Sequence, residues 1–259
     1  MRSAIEDLGG RSLASVESLG RLGRFAGQTL ISAITVPFRL RRLIAELFNV
    51  GVLSLAIVCI SGAAVGAVLG LQGFVTLSRF GAESALGSFV GLVLVRELGP
   101  VLTSLLVTGR AGSAVAAEIG SMVATEQIDG LRMMSVDPVN FVVRPKVVAM
   151  VISMPLLSAL FIVFGVGGAY MIGVHLLGVD GGSFMSGLEG SLSFDHDVAG
   201  SLIKSLVFGV LVGLIATYRG FTAAPNAEGV SRATTSTVVI GSVTTLVVDY
   251  FITALWGVN

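Results

Sequence analysis

Four ionisable side chains lie inside, or at the edge of, stretches that otherwise read as membrane spans: Arg96, Glu97, Lys204 and Asp249. An isolated charge at that depth is unfavourable by at least about 2.5 kcal/mol, so these groups must face one another or a wet cavity. Two uses are open to them, and the two are compatible. As a structural network, Arg96 and Glu97 satisfy each other locally and Lys204 with Asp249 bridges two helices. As a functional patch, they form a polar spot in an apolar cavity and contact the charged head of an amphiphile. Gly99-Pro100 follows the first pair directly. A proline there removes a backbone donor, which can kink the helix and open a carbonyl towards a cavity.

A second constellation begins just beyond. Residues 113–137 are too polar to span, and their centre reads EIGSMVATEQIDG from Glu118 to Gly130. Val115, Ile119, Met122 and Val123 share one helical face, and Ile128, Leu131 and Met134 extend it. Glu118, Glu126 and Asp129 lie among them. Asp137-Pro138 should end the segment, because the residue before proline avoids helical geometry. Such a segment is either an amphipathic or re-entrant surface helix, or a coupling helix that docks into a groove on a cytoplasmic motor.

The elements that must position these residues follow from composition. The chain has 259 residues, of which 54% are hydrophobic and only 12% charged, with a mean hydropathy of +0.93. Soluble domains carry roughly 25% charged residues, so the expected class is an all-α integral membrane protein. The apolar runs predict five spans, at about 50–71, 86–109, 147–177, 201–217 and 237–256. Pro155 and Gly165–Gly168 are the expected bend points of the third. Gly62, Gly66 and Gly70 on the first span, and Gly209 with Gly213 on the fourth, make flat stripes for close helix packing, within the subunit or between two copies. Residues 1–48 read as an N-terminal region apart from the 49–259 body. Leu13, Val16, Leu19 and Leu22, then Leu40, Leu43, Ile44 and Leu47, recur at helical spacing between arginines and on either side of Pro37. They predict an amphipathic helix, or a bent pair, on the membrane surface, or alternatively a soluble helix packed on the rest. No continuous apolar core marks residues 1–30 as a cleavable signal.

Basic residues set the orientation. Seven Lys/Arg precede the first span, four lie between spans two and three and two between spans four and five, so thirteen of the sixteen fall on one side. The opposite loops carry Glu83, Asp180, Glu189, Asp195 and Asp197. The expectation is a cytoplasmic N-terminus and a C-terminus outside.

Other chemistries find no support. Zero net charge gives no field to draw nucleic acid. There is no P-loop sequence around Lys146 or Lys204, so ATP and Mg have no P-loop in this chain. Asp195-His196-Asp197 reads as a solvated loop rather than a metal site, and Cys59, the single cysteine, as a small packing residue. No Ser/His/Asp or paired-carboxylate arrangement marks hydrolase chemistry.

The stretch RELGPVLTSLLVTGRAGSAVAAEIGSMVATEQIDGLRMMSVDPVNFVVRPKVVA, Arg96 to Ala149, closely resembles the signature region of the MlaE family, permease subunits of bacterial phospholipid ABC transporters. The resemblance runs from about residue 40 to the C-terminus. It implies a homodimer in the bacterial inner membrane, each subunit with an N-terminal interfacial helix and five transmembrane helices. It further implies a separate cytoplasmic ATPase that holds ATP and Mg, a STAS-domain accessory protein and a periplasmic ring of MCE-domain lipid-binding subunits. Lipid would occupy an outward-open cavity at the dimer interface, and transport would maintain outer-membrane lipid asymmetry. By the same likeness the segment between spans two and three is the coupling helix, with Glu118, Met122, Glu126 and Asp129 meeting the ATPase. Glu97, Lys204 and Asp249 match polar positions near the lipid path, and Leu69, Thr76 and Phe80 would line the cavity; in the mechanism expected from these residues, Lys204 helps hold the phosphate while Glu97 and Asp249 position polar groups or set the gate. Arg96, Gly99 and Pro100 would gate or kink the second span. Gly130 and Arg132 stand where relatives often have Ala and Glu. A sterol-like substrate, a proton-driven transporter and a non-transporting anchor for the ring are the alternatives.

Overall fold

The computed structural model describes residues 20, 23–32 and 40–256, and the regular structure in them is helical throughout. Leu13, Val16, Leu19, Leu22 and Pro37 of the expected surface region lie outside the described residues. We label the helices α1 (residues 23–32), α2 (Leu40–Val50), α3 (Leu55–Ser78), α4 (Glu83–Ala124), α5 (Gln127–Met133), α6 (Val139–Leu176), α7 (Gly181–Ser191), α8 (Phe194–Phe221) and α9 (Ala227–Trp256). Five helical runs are long and apolar enough to cross a membrane: Leu40–Ser78, α4, α6, α8 and most of α9.

Each run is longer than hydropathy alone suggests. At about 1.5 Å per residue, the 42 residues of α4 extend about 63 Å, twice a hydrocarbon core of about 30 Å. The second span and the first half of the expected coupling segment are therefore one helix. That helix ends at Thr125-Glu126, where Glu126 adopts a left-handed backbone with φ 58°. Short α5 follows, and Ser135 at φ 57° closes it. Asp137 then caps α6 instead of ending the segment before it: its carboxylate accepts from the Val139 N–H at 3.0 Å and the Asn140 amide at 2.6 Å. Just past the boundary expected at residue 48, α2 ends at Val50 and a 3-10 turn, Val52–Ser54, leads into α3 within the apolar run Leu40–Ser78. Within it α2 keeps an amphipathic pattern, with Leu43 and Leu47 against the core and Arg41 and Arg42 exposed.

Helix α6 is the hub, packing on α2, α3, α4 and α8. In lipid there is no hydrophobic drive between helices, so their association rests on close van der Waals fit. The glycine stripe of α3 supplies that fit. A Cβ at Gly62 would lie 2.7 Å from the Phe161 carbonyl oxygen, one at Gly70 would lie 2.9 Å from that of Ala169, and one at Gly66 would overlap the Gly165 carbonyl. Gly209 and Gly213 of α8 meet Val151 and Val147 of α6 in the same way. Both stripes thus serve packing within the subunit. Pro155 sits within unbroken α-helix and Gly165 and Gly168 are contact points, so the irregularity of α6 lies in π-turns at its two ends, Val139–Val143 and Met171–Leu176. Outside the membrane core, the loop after α6 folds into α7. Asp180 caps it, and the Ser183 N–H at 2.7 Å with its hydroxyl holds that carboxyl below the usual carboxylate range.

Gly66→Ala should cost about 1–3 kcal/mol through overpacking and lower the thermal midpoint of the detergent-solubilised protein. Gly167→Ala, whose Cβ meets nothing within 4 Å, should leave the midpoint unchanged or slightly raised.

Candidate functional site

The charged residues of the spans converge, but not in the pairs that adjacency suggests. Arg96 and Glu97 sit in a π-turn of α4, Leu94–Leu98, which carries the two side chains to different partners. Arg96 donates from Nε to Asp197 Oδ1 at 2.6 Å. Asp197 is buried on α8 and also accepts from the Ser193 N–H at 2.8 Å and the Ser193 hydroxyl at 3.1 Å. It is therefore a fixed anchor for Arg96, not a member of a solvated loop.

Glu97 instead meets Lys204 of α8, whose side chain is 7% exposed. The three ammonium protons of a lysine have three acceptors here: the Arg96 carbonyl at 2.8 Å, Glu97 Oε2 at 2.9 Å and Thr253 Oγ1 at 2.7 Å. Pro100 explains the first. It lacks the N–H that would bond four residues back, so the carbonyl of Arg96 is left open and Lys204 takes it. Gly99 packs on Ile162 of α6, where any Cβ would crowd the Ile162 side chain. Asp249 of α9 stands 3.2 Å from the Lys204 ammonium, held by charge while its Oδ1 has no hydrogen-bond donor. The Thr253 hydroxyl links back to Glu97 Oε1 at 3.2 Å.

One ammonium thus faces two carboxylates, and its protons are committed. The cation with room to spare is Arg96, half exposed at the rim. Arg96, Glu97, Asp197, Lys204 and Thr253 line a cavity of about 60 Å³. That is space for a few water-sized groups, enough for part of a polar headgroup and far too little for acyl chains.

The other expected residues separate. Leu69 is half-buried against the core; Thr76 is exposed, its hydroxyl bonded to the Gln72 carbonyl at 2.9 Å; and Phe80 is 79% exposed at the outer end of α3. None of the three lines the cavity. In the connector, Glu118 turns to Lys146 at 2.7 Å and Met122 packs on the core, whereas Glu126 and Asp129 face solvent, the latter 2.8 Å from Arg132. Exposed Met133 and Met134 end α5. Sequence reading missed Asp197, Thr253 and Lys146. The first two are ordinary loop and helix residues until the fold places them, and Lys146 was read only as a loop charge.

Comparison with known proteins decides the lineage. The family model described as Permease MlaE matches residues 43–255. The chain belongs to the MlaE permease family. It is 45% identical over 251 residues to the intermembrane phospholipid transport system permease protein MlaE of Haemophilus influenzae, covering 97% of this chain and 96% of that protein. It is 39% identical to a probable ABC transporter permease protein of Rickettsia bellii, over 96% of each. A more distant relative is the chloroplastic protein TRIGALACTOSYLDIACYLGLYCEROL 1 of Arabidopsis thaliana, 30% identical over 89% of this chain and 66% of that one. The matched range of this MlaE-family permease contains Arg96, Glu97, Asp197, Lys204 and Asp249.

Lys204→Met leaves two carboxylates without their buried cation and should destabilise the protein by about 3–5 kcal/mol. The neutral triple variant Glu97→Gln/Lys204→Met/Asp249→Asn should recover most of that loss in thermal unfolding. A triple variant no more stable than Lys204→Met would show that these charges do not answer one another.

Proposed function

We propose that this chain is the membrane-embedded permease subunit of an ABC transporter that moves phospholipid between the bacterial inner membrane and periplasmic lipid-binding partners. It acts as a homodimer with a separate cytoplasmic ATPase, a STAS-domain accessory subunit and a periplasmic MCE-domain ring, and its activity maintains outer-membrane lipid asymmetry. The observation that carries this reading is 45% identity, over nearly the whole of both chains, to a protein named as the permease of an intermembrane phospholipid transport system. The side-chain chemistry agrees. An amphiphile needs one polar holding point and a large apolar wall, and the chain offers both. The rim guanidinium of Arg96 meets the phosphate, while Glu97 and Asp249 favour any ammonium of the headgroup. The acyl chains lie outside the small cavity. Along α9, Val243, Leu246, Val247, Tyr250 and Phe251 present an exposed apolar face, as do Val68, Leu71 and Val75 on α3. Two copies of these faces enclose the lipid tails, and Leu69, Thr76 and Phe80 reach the path only in such a pair.

The motor acts through α4. Glu97 and Glu118 lie on that one helix, about 32 Å apart at helical rise. Displacement of α5 by the closing ATPase therefore crosses only the Thr125-Glu126 turn before α4 carries it to the polar cluster. The π-turn at Thr108–Gly112 lies between them and is the point of give. With the N-terminus cytoplasmic, α5 faces the ATPase and the cluster lies nearer the periplasm.

In proteoliposomes carrying the whole complex, ATP should drive transfer of labelled phospholipid, and phospholipids should co-purify in mass spectra. The neutral triple variant should retain its fold yet transfer lipid at least about tenfold more slowly. Wild-type transfer by that variant would remove the polar cluster from the mechanism, and a co-purifying sterol would change the substrate.

A further inference from the structure

The largest fully buried side chain outside the lipid site is a cation. Lys146, at the cytoplasmic end of α6, is 2% exposed. Its ammonium lies 2.8 Å from Glu46 Oε1 on α2 and 2.7 Å from Glu118 Oε2 on α4. Three helices that are distant in sequence thus meet on one nitrogen. A buried lysine without partners would be costly, so this contact is an obligatory feature of the folded state.

Its two arms are unequal. The Glu46 side chain is 16% exposed and the Glu118 side chain 54%. Water competes for the second far more than for the first, so the Glu46 contact is firm and the Glu118 contact releasable. The packing around them is also asymmetric. Helix α2 lies closely along α6, whereas no comparable packing joins α2 to Ser113–Ala124 of α4. Between those two is a cavity of about 240 Å³ lined by Glu46, Asn49, Arg110, Ala114 and Glu118. Polar contacts span this gap: the Lys146 pair, and Arg110, which bonds the Asn49 carbonyl and reaches the Ser54 hydroxyl at 3.3 Å. On the side that faces α2 the inner end of α4 therefore has room, and what spans the gap there is charge, whereas its opposite side packs closely on α8 and α9.

We propose that Lys146 is a positioning residue at a transmission joint. Glu118 is its releasable contact and Glu46 its fixed one, and through them displacement of the connector is shared among α4, α2 and α6. This rests on the reading that a separate ATPase drives the chain, and it reassigns Glu118 from docking the motor to passing on its stroke. When the connector is pushed, Glu118 either drags Lys146 and the two helices behind it or lets go, so the joint sets how much of each stroke reaches the lipid cluster.

The test is the ratio of ATP hydrolysed to lipid transferred by the complete reconstituted complex. Glu118→Gln should raise that ratio about tenfold. The thermal midpoint should barely move, because a half-exposed ion pair contributes little to stability. Glu46→Gln should raise the ratio and lower the midpoint as well. A Glu118→Gln complex with the wild-type ratio overturns the proposal. So does one from which the ATPase no longer co-purifies, since Glu118 would then be a docking contact. A wild-type complex that moves no lipid with ATP overturns the functional reading itself, and the joint with it.

Discussion

A lysine ammonium in a low-dielectric interior must place all three of its protons, and one end of this molecule is arranged around that requirement at Lys204. One acceptor is a carboxylate on α4, one a hydroxyl on α9, and one a backbone carbonyl that exists as a free acceptor only because Pro100 cannot donate to it. The constraint ties α4, α8 and α9 together where lipid tails could otherwise wedge them apart. It also gives the site its character. Since the ammonium is saturated and outnumbered by carboxylates, its surroundings lean negative, and positive charge is offered to a ligand at the rim by Arg96. Arg96 can serve there because Asp197 fixes its Nε and leaves the side chain half exposed.

The end of the molecule around Lys146 meets a different constraint, because helices in lipid have little hydrophobic glue between them. Close glycine contacts, to carbonyls of α6 from α3 and mainly to its Cα and Cβ atoms from α8, pack both helices tightly onto α6. Against these helices runs α4, continuous from Glu83 to the connector, its α-helical course relaxed by two π-turns. A second buried lysine, Lys146, fastens its inner end. The two lysines play parallel parts at opposite ends of one helix, each meeting one carboxylate of α4 and one from another helix.

Much of this was legible in the sequence. Periodicity and hydropathy predicted five helical spans, and the cost of burying charge predicted that Arg96, Glu97, Lys204 and Asp249 would face one another or a wet cavity, with Lys204 bridged to Asp249. The rule that proline frees a carbonyl located the open acceptor at Arg96, although it could not name Lys204 as the group that claims it. What the sequence concealed has physical causes. Adjacent Arg96 and Glu97 look like a local pair, but a π-turn rotates them towards different helices, and no residue pattern announces a π-turn. Hydropathy windows end where polar residues begin, so they cut α4 at Gly109, although its backbone hydrogen bonds continue to Ala124. The glycine stripes suited contacts within the subunit or between two copies, and the position of α6 shows the contacts within it. Asp197 and Lys146 looked solvated because sequence shows charge but not burial.

The account depends most on the connector being the place where an external motor grips. A photo-crosslinker in place of exposed Met133, at the end of α5, tests this directly in membranes holding the whole complex. The account predicts a single major adduct with the cytoplasmic ATPase, its yield changing when ATP is trapped. Absence of that adduct, or an adduct with a periplasmic subunit instead, would contradict it.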